Sequence, residues 1–386
     1  MGELRVGIAG RRGGAFASAL RALPGVELTA LCDVDRTTLD READRLGVAK
    51  RFTSFRAMLE AVDAVVVATP MHLHAAQSIV ALEAGKHVMS EVTACVSLEE
   101  CWRLLDAAKA AAKRGVVYAL AENYCYIKDN VLVREMARKG LFGEPYFGEG
   151  EYLHEVRNLH HTADGGRTWR YYWQVGQNGS TYPTHSLGPV MQWFRAVNPD
   201  ERIASVICLG SGRHTDPEHP HDDTTLLLCR LASGKLVKVR LDMMSNRPHQ
   251  MAYYSLQGTR GVYEASRIEG QPGHVWVGEN RDGDRREWRA LSDFAEHLPD
   301  DWKNPPPEAL AAGHGGGDFF VARDFVRAAR GEAPPATDVY EGLEWTAAGL
   351  CSQTSIESGG VPITVPNFRD PAARPVWLDL PAPEVD

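Results

Sequence analysis

Val6-Gly7-Ile8-Ala9-Gly10-Arg11-Arg12-Gly13-Gly14-Ala15 is the stretch that decides the fold. Leu4–Ala9 reads as a strand, and the glycine-rich turn behind it opens a helix-forming segment. A turn of that kind presents unpaired backbone N–H groups and the positive end of a helix dipole, where the pyrophosphate of a dinucleotide can rest. Gly10 and Ala15 occupy the first and third positions of G-x-G-x-x-G/A, whereas Arg12 stands where the middle glycine should be. Gly13 and Gly14 are expected to shift the turn in compensation, with Arg11 or Arg12 reaching phosphate. A merely tight structural turn is the alternative. The next strand, Val26–Cys32, argues against it, because it ends at Asp33, about 20 residues on, where a carboxylate accepts both ribose hydroxyls and repels a 2′-phosphate. NAD is therefore favoured over NADP; the competing reading of Asp33 is a charge at a helix N-terminus.

Outward from this turn, short β-branched runs alternate with helical periodicity, as in repeated βαβ units. Ala64–Ala68, His87–Ser90 and Val116–Ala119 read as further strands, and Ser97-Leu98-Glu99-Glu100 as a capping box opening a helix. After about Asn123 the texture changes to aromatics, histidines and antiparallel strands such as Leu226–Leu231 and Leu236–Met243, with helices returning at Asp318–Ala329 and Tyr340–Ser358. The expected fold is an α/β Rossmann domain over residues 1–122 followed by an α+β domain over 123–386 with a mostly antiparallel sheet, its last helices packing back on the first.

The 386 residues exceed what one core usually serves, and a 44% apolar, 24% charged composition is that of a globular protein. A net charge of −9 provides no cationic field for nucleic acid. Seven cysteines without a C-x-x-C pair argue against a disulfide framework or thiolate metal site and for a reducing compartment. With no signal-like N-terminus and no membrane-length apolar run, the expected location is the cytoplasm.

Thr69-Pro70-Met71-His72-Leu73-His74 follows the third expected strand, and Gly85-Lys86-His87-Val88-Met89-Ser90-Glu91 spans the fourth. Together they resemble the T-P-x-x-x-H and G-K-H-V-x-x-E-K-P signatures of the glucose–fructose oxidoreductase, inositol dehydrogenase and rhizopine catabolism family. Val92-Thr93 replaces the Lys-Pro of that pattern, so the usual catalytic lysine is missing. The replacement resembles the NAD-dependent glycosidases of glycoside hydrolase family 109. Further matches include Glu122-Asn123-Tyr124-Cys125-Tyr126, Gly148–Glu155, Tyr182-Pro183-Thr184-His185, Leu256–Gly261 and His314-Gly315-Gly316-Gly317-Asp318, so that the resemblance covers nearly the whole chain.

The resemblance implies NAD held by Gly10, Arg11, Arg12, Gly13, Asp33, Thr69, Pro70, His72, His74, Glu91 and Asn123, with Tyr152, Tyr182 and His185 catalytic. It implies a redox-elimination route: oxidation at C3 of the sugar, loss of the acidified C2 proton, departure of the aglycone from C1, addition of water, and return of the hydride. His185 is the expected base at the C3 hydroxyl, and Tyr152 the base at C2 if nearby cations or the nicotinamide charge lower its pKa; Tyr182 shares either proton. Glu149, His154, Arg157, Arg170, Trp173 and Tyr182 are the expected substrate contacts. The substrate is an N-acetylgalactosaminide-like glycoside or, given these arginines with Arg247 and His249, an anionic one such as a sulfoquinovoside or glucuronide. Core aromatics and a backbone-bonded histidine are the bland readings of the catalytic three. His72 and His74 read as helix-start groups rather than metal ligands, and His214, His219, His221, Asp222 and Asp223, beside Pro217 and Pro220, as a solvated turn; no metal is expected. An NAD-dependent sugar dehydrogenase and a non-catalytic NAD- or sugar-sensing protein are the alternatives. A homodimer or homotetramer built on the antiparallel sheet is expected.

Overall fold

The computed structural model describes residues 3–247, 250–268, 270–278 and 287–379. His249, one of the cations expected near the substrate, lies outside them. The first sheet has six parallel strands in the order β3-β2-β1-β4-β5-β6. These are β1 (Leu4–Ala9), β2 (Val26–Cys32), β3 (Lys50–Phe52), β4 (Ala64–Val67), β5 (His87–Ser90) and β6 (Tyr118–Leu120). The order reverses direction between β1 and β4, and the crevice outside the carboxyl ends at that switch is where ligands of doubly wound sheets bind. β4 is buried along its whole length, which is why it reads as a continuous apolar run rather than an alternation. Ser97 caps the helix Leu98–Ala112 through the Glu100 N–H at 3.1 Å, and Glu100 reaches back to the Val96 N–H at 2.8 Å, which closes the expected capping box one residue early.

The second sheet has nine strands. They are β7 (Pro145–Leu153), β8 (Ile203–Gly210), β9 (Thr224–Leu231), β10 (Leu236–Asp242), β11 (Gln250–Gly258), β12 (Gly261–Glu264), β13 (His274–Val277), β14 (Arg289–Ala290) and β15 (Ile363–Thr364). Every neighbour pair is antiparallel except β7 with β10, which run parallel in register Lys238 to Glu149 and Leu241 to Tyr152. One face packs on the helices Thr184–Arg195 and Val339–Glu357. On β7 that face is marked by Gly148 and Gly150, whose missing side chains leave room for Val190 and Ser186. The opposite face carries Leu209, Leu226 and Leu228, all exposed, beside Lys238 and Arg240.

The last helices return to the first sheet. Gly317–Ala329 packs on the helix Ala17–Ala22 and on the turn Arg11–Phe16, and Val339–Glu357 on Leu98–Ala112 and β6. Leu120 donates its N–H to Thr337 O at 3.1 Å, and Arg330 donates to Pro24 O and Gly25 O at 2.6 and 2.8 Å. Among the described residues, no helix is long and apolar enough to cross a membrane.

Candidate active site

A cleft of about 1030 Å³ runs from the β1 turn across the carboxyl ends of the parallel strands to the start of the helix Thr184–Arg195. Its first half is a nucleotide cradle. Gly10 has φ 89°, and a Cβ there would stand 2.4 Å from Ala68 O, so only glycine permits this turn. Gly13 lies against β1 and β4, where a Cβ would meet Ile8 Cγ2 at 2.6 Å and Ala68 Cβ at 3.1 Å. The close packing expected of a motif glycine is therefore carried by Gly13, and Arg12 is free to project into the cleft, its Nε 3.9 Å from Glu91 Oε1. Asp33 lines the cleft, and Asp35, not Asp33, caps the following helix through the Thr37 and Thr38 N–H groups at 3.2 Å each. Asp33 is therefore not the cap of that helix, although its Oδ1 accepts the Asp35 N–H at 3.0 Å. Arg11, Thr69, Pro70, His74, Glu91 and Asn123 also line the cleft. His74 is clamped between Thr93 O at 2.8 Å and Thr69 O at 2.7 Å; burial lowers its pKa against the pull of those carbonyls. Burial raises the pKa of Glu91, against the pull of Arg12.

The second half holds the expected catalytic three. His185 Nδ1 lies 2.6 Å from Oε1 of Glu122, whose side chain is fully buried. The carboxylate fixes the Nδ1–H tautomer and aims Nε2 at the cleft. The Tyr124 ring stacks on the imidazole at 4.0 Å between centroids, and Tyr152 and Tyr182 each approach it to 5.1 Å. Tyr152 OH lies 2.9 Å from His154 Nδ1. Burial raises the pKa of Tyr152, with Arg170 and Arg12 countering only in part, and burial likewise pushes that of Tyr182 well up. Within the protein alone, burial thus outweighs the two cations expected to ease ionisation of Tyr152.

Several expected site residues lie elsewhere. Glu149 is an odd number of positions from Tyr152 on the same strand, so it points through the opposite face, where it accepts from Ser255 Oγ at 3.2 Å and pairs with Lys238. Arg157 is engaged by Glu155 and Asn246, and Trp173 stacks on His72 at 5.1 Å; none of these lines the cleft, and Arg247 is exposed. From that segment Arg170 lines it, beside the unforeseen Trp169. The solvated histidine turn is also corrected, because His219 and His221 are completely buried and Asp223 nearly so. Asp223 accepts from the His214 and Thr215 N–H groups at 2.9 and 3.0 Å, which ties the turn inward. No group of three metal-ligating side chains occurs among the described residues. Reading the sequence missed the roles of Glu122 and Tyr124, both quoted in a motif, because the partner of Glu122 is 63 positions away.

The profile "Oxidoreductase family, NAD-binding Rossmann fold" matches residues 4–119, and "Glycosyl hydrolase 109, C-terminal domain" matches residues 126–374. The chain belongs to glycosyl hydrolase family 109. Relatives include a glycosyl hydrolase family 109 protein of Shewanella baltica, 31% identical over 98% of this chain and 88% of that one. An α-N-acetylgalactosaminidase of Shewanella oneidensis is 30% identical over the same shares. Among solved structures, levoglucosan dehydrogenase in complex with NADH and levoglucosan superposes with a TM-score of 0.76 at 21% identity, covering 94% of this chain and all of that one. An oxidoreductase domain protein of Kribbella flavida gives 0.76 at 22% identity, covering 95% and 100%. This family 109 member thus has the fold of the glucose–fructose oxidoreductase group and an NAD-binding domain whose glycine turn, Asp33 and cleft suit the dinucleotide.

Proposed function

We propose that this chain is an NAD-dependent glycosidase that works by transient oxidation at C3 of the sugar, C1–C2 elimination, water addition and re-reduction. The carrying observation is the Glu122–His185 dyad at the end of the cradle, in a cleft where Val92 stands in place of the family's lysine. Bound NAD supplies the reversible removal of hydride from the sugar. His185 Nε2 takes the hydroxyl proton while Glu122 stabilises the imidazolium so formed. Tyr152 removes the C2 proton by passing its own to His154 Nδ1, so the buried pair moves a proton without an isolated phenolate. Tyr182, whose hydroxyl lies 3.5 Å from Val92 O, closes the site beside it.

An N-acetylgalactosaminide-like substrate is supported by the name of the Shewanella oneidensis relative, and an anionic glycoside by Arg170 in the cleft. A sugar dehydrogenase releasing NADH would use the same dyad; a silent sensor is disfavoured because it has no need of a buried carboxylate orienting an imidazole at the end of the cradle. The test is incubation with NAD and neutral and anionic nitrophenyl glycosides in deuterated water. Aglycone release with deuterium at C2 and no net NADH supports the glycosidase, whereas stoichiometric NADH without release replaces it with the dehydrogenase. The seven cysteines, all free and buried, support a cytoplasmic setting. The exposed leucines on the open sheet face support homo-oligomerisation there, to be read by light scattering.

A further inference from the structure

His314-Gly315-Gly316-Gly317-Asp318 plays no part in the chemistry above, yet it is built as a site. His314, Gly315 and Gly316 have φ of 54°, 64° and 97°, three successive residues in the left-handed region, and His314 is the sole non-glycine residue so placed among those described. The buried Asp318 holds His314 Nδ1 with both oxygens, at 3.0 and 3.1 Å, while Asn123 Nδ2 donates to Asp318 Oδ1 at 2.9 Å. With Nδ1 so committed, Nε2 is the nitrogen left for a ligand, and the side chain lines the cleft. The helix that follows packs on the Arg11–Phe16 turn, so His314 faces the cradle from the second half of the chain.

Arg12 faces the same space from the first half. Its nearest carboxylate, Glu91, stays 3.9 Å away, beyond hydrogen-bonding distance, and Asp318 is occupied by His314 and Asn123. A guanidinium and an imidazole therefore line the same cleft as the glycine turn, whose helix start favours an anion.

We propose that His314 is a ligand of the NAD pyrophosphate, clamping from the second half of the chain the phosphates that the glycine turn cradles, opposite Arg12. The groups facing it are Asp318 from the helix that follows, Arg12 from the glycine turn, Glu91 from the end of β5, and Tyr124 and Asn123 from the Asn123–Tyr126 turn, the Asn123 amide 3.1 Å from its Nδ1. The Asp318 hydrogen bond raises the pKa of His314 against burial and Arg12, which extends the charged form toward neutral pH. A clamp contributed by the second domain suits a cofactor that is recycled rather than exchanged, and it is independent of which sugar is cleaved.

The test is calorimetric titration of the full chain and its His314→Asn variant with NAD, ADP-ribose and adenosine; asparagine tolerates the left-handed backbone and removes the cation. The expected result is a Kd for NAD and for ADP-ribose raised about tenfold to a hundredfold, with adenosine unchanged and the difference shrinking as salt is added. Unchanged Kd values overturn the proposal. So does a loss confined to NAD with ADP-ribose unaffected, which would put the ring at the nicotinamide. If the variant melts early and loses adenosine too, Asp318→Asn decides: ADP-ribose binding that weakens at pH 8 and recovers at pH 6 supports the clamp, and a pH-independent loss overturns it.

Discussion

Replacing Glu122 by glutamine removes one charge and almost nothing else. The side chain is fully buried, and the oxygen that faces His185 Nδ1 at 2.6 Å also accepts the Tyr124 N–H at 3.1 Å, two contacts that the amide oxygen of glutamine reproduces. What glutamine cannot do is stabilise the imidazolium that appears when His185 takes the hydroxyl proton. With charge centres about 4 Å apart and an effective dielectric near 20, that attraction amounts to about 4 kcal/mol. At about 1.4 kcal/mol per tenfold, turnover should fall by about a thousandfold. The assay is the single-turnover appearance of NADH absorbance on mixing the NAD-loaded enzyme with a cleaved glycoside, alongside a melting curve and an NAD titration. KM and the affinity for NAD should stay within about threefold, because Glu122 is fully buried and does not line the cleft. A variant that retains a tenth or more of the wild-type rate would refute the dyad and reduce Glu122 to a structural acid.

Tyr152→Phe should separate the two proton transfers: NADH absorbance should still rise once per site, while C2 deuterium exchange and aglycone release disappear, as read by NMR and colour. Gly10→Ala should abolish NAD binding in calorimetry, since the new methyl would stand 2.4 Å from Ala68 O at a φ of 89°. Asp33→Ser should weaken NAD and raise the relative affinity for NADP by about tenfold or more, measured by competition. Acid should destabilise the fold between pH 6.5 and 4. Burial pushes the pKa of His160 and of His221 down to about 4, so the unfolded chain binds protons that the folded one refuses, and stability present above 6.5 is lost as pH falls. At pH 5 this amounts to about 2 kcal/mol per histidine, and urea unfolding of His221→Gln should show the pH dependence flattened by that amount.

The limits of β1, β2 and β5 were legible to the residue, because each is a β-branched or apolar run bounded by turn residues. β3, Lys50–Phe52, was not, being three residues long with two of them cationic, and it is held only by pairing with β2. Strand parity is legible in the sequence, since counting from Tyr152 sends Glu149 through the sheet. The burial of His219 and His221 was hidden, since prolines and acidic neighbours give a sequence the look of an exposed turn whichever way its side chains point. Glu122 carried no local signal, because its significance depends on a histidine delivered by another element. The first-domain residues that line the cradle lie on a few strand ends in chain order and could be read in sequence; the dyad proposed for the chemistry is gathered from both halves.

The return of the last helices to the first sheet bears on how the protein is made. A ribosome releases the parallel strands early, but β6 waits for Thr337 and the Pro24-Gly25 carbonyls wait for Arg330. The helix that flanks the glycine turn is likewise supplied from residue 317 onward. The nucleotide cradle, encoded first, is therefore completed late. A nascent chain arrested before that point would carry the whole glycine motif without the helix that packs on its turn and on the helix Ala17–Ala22.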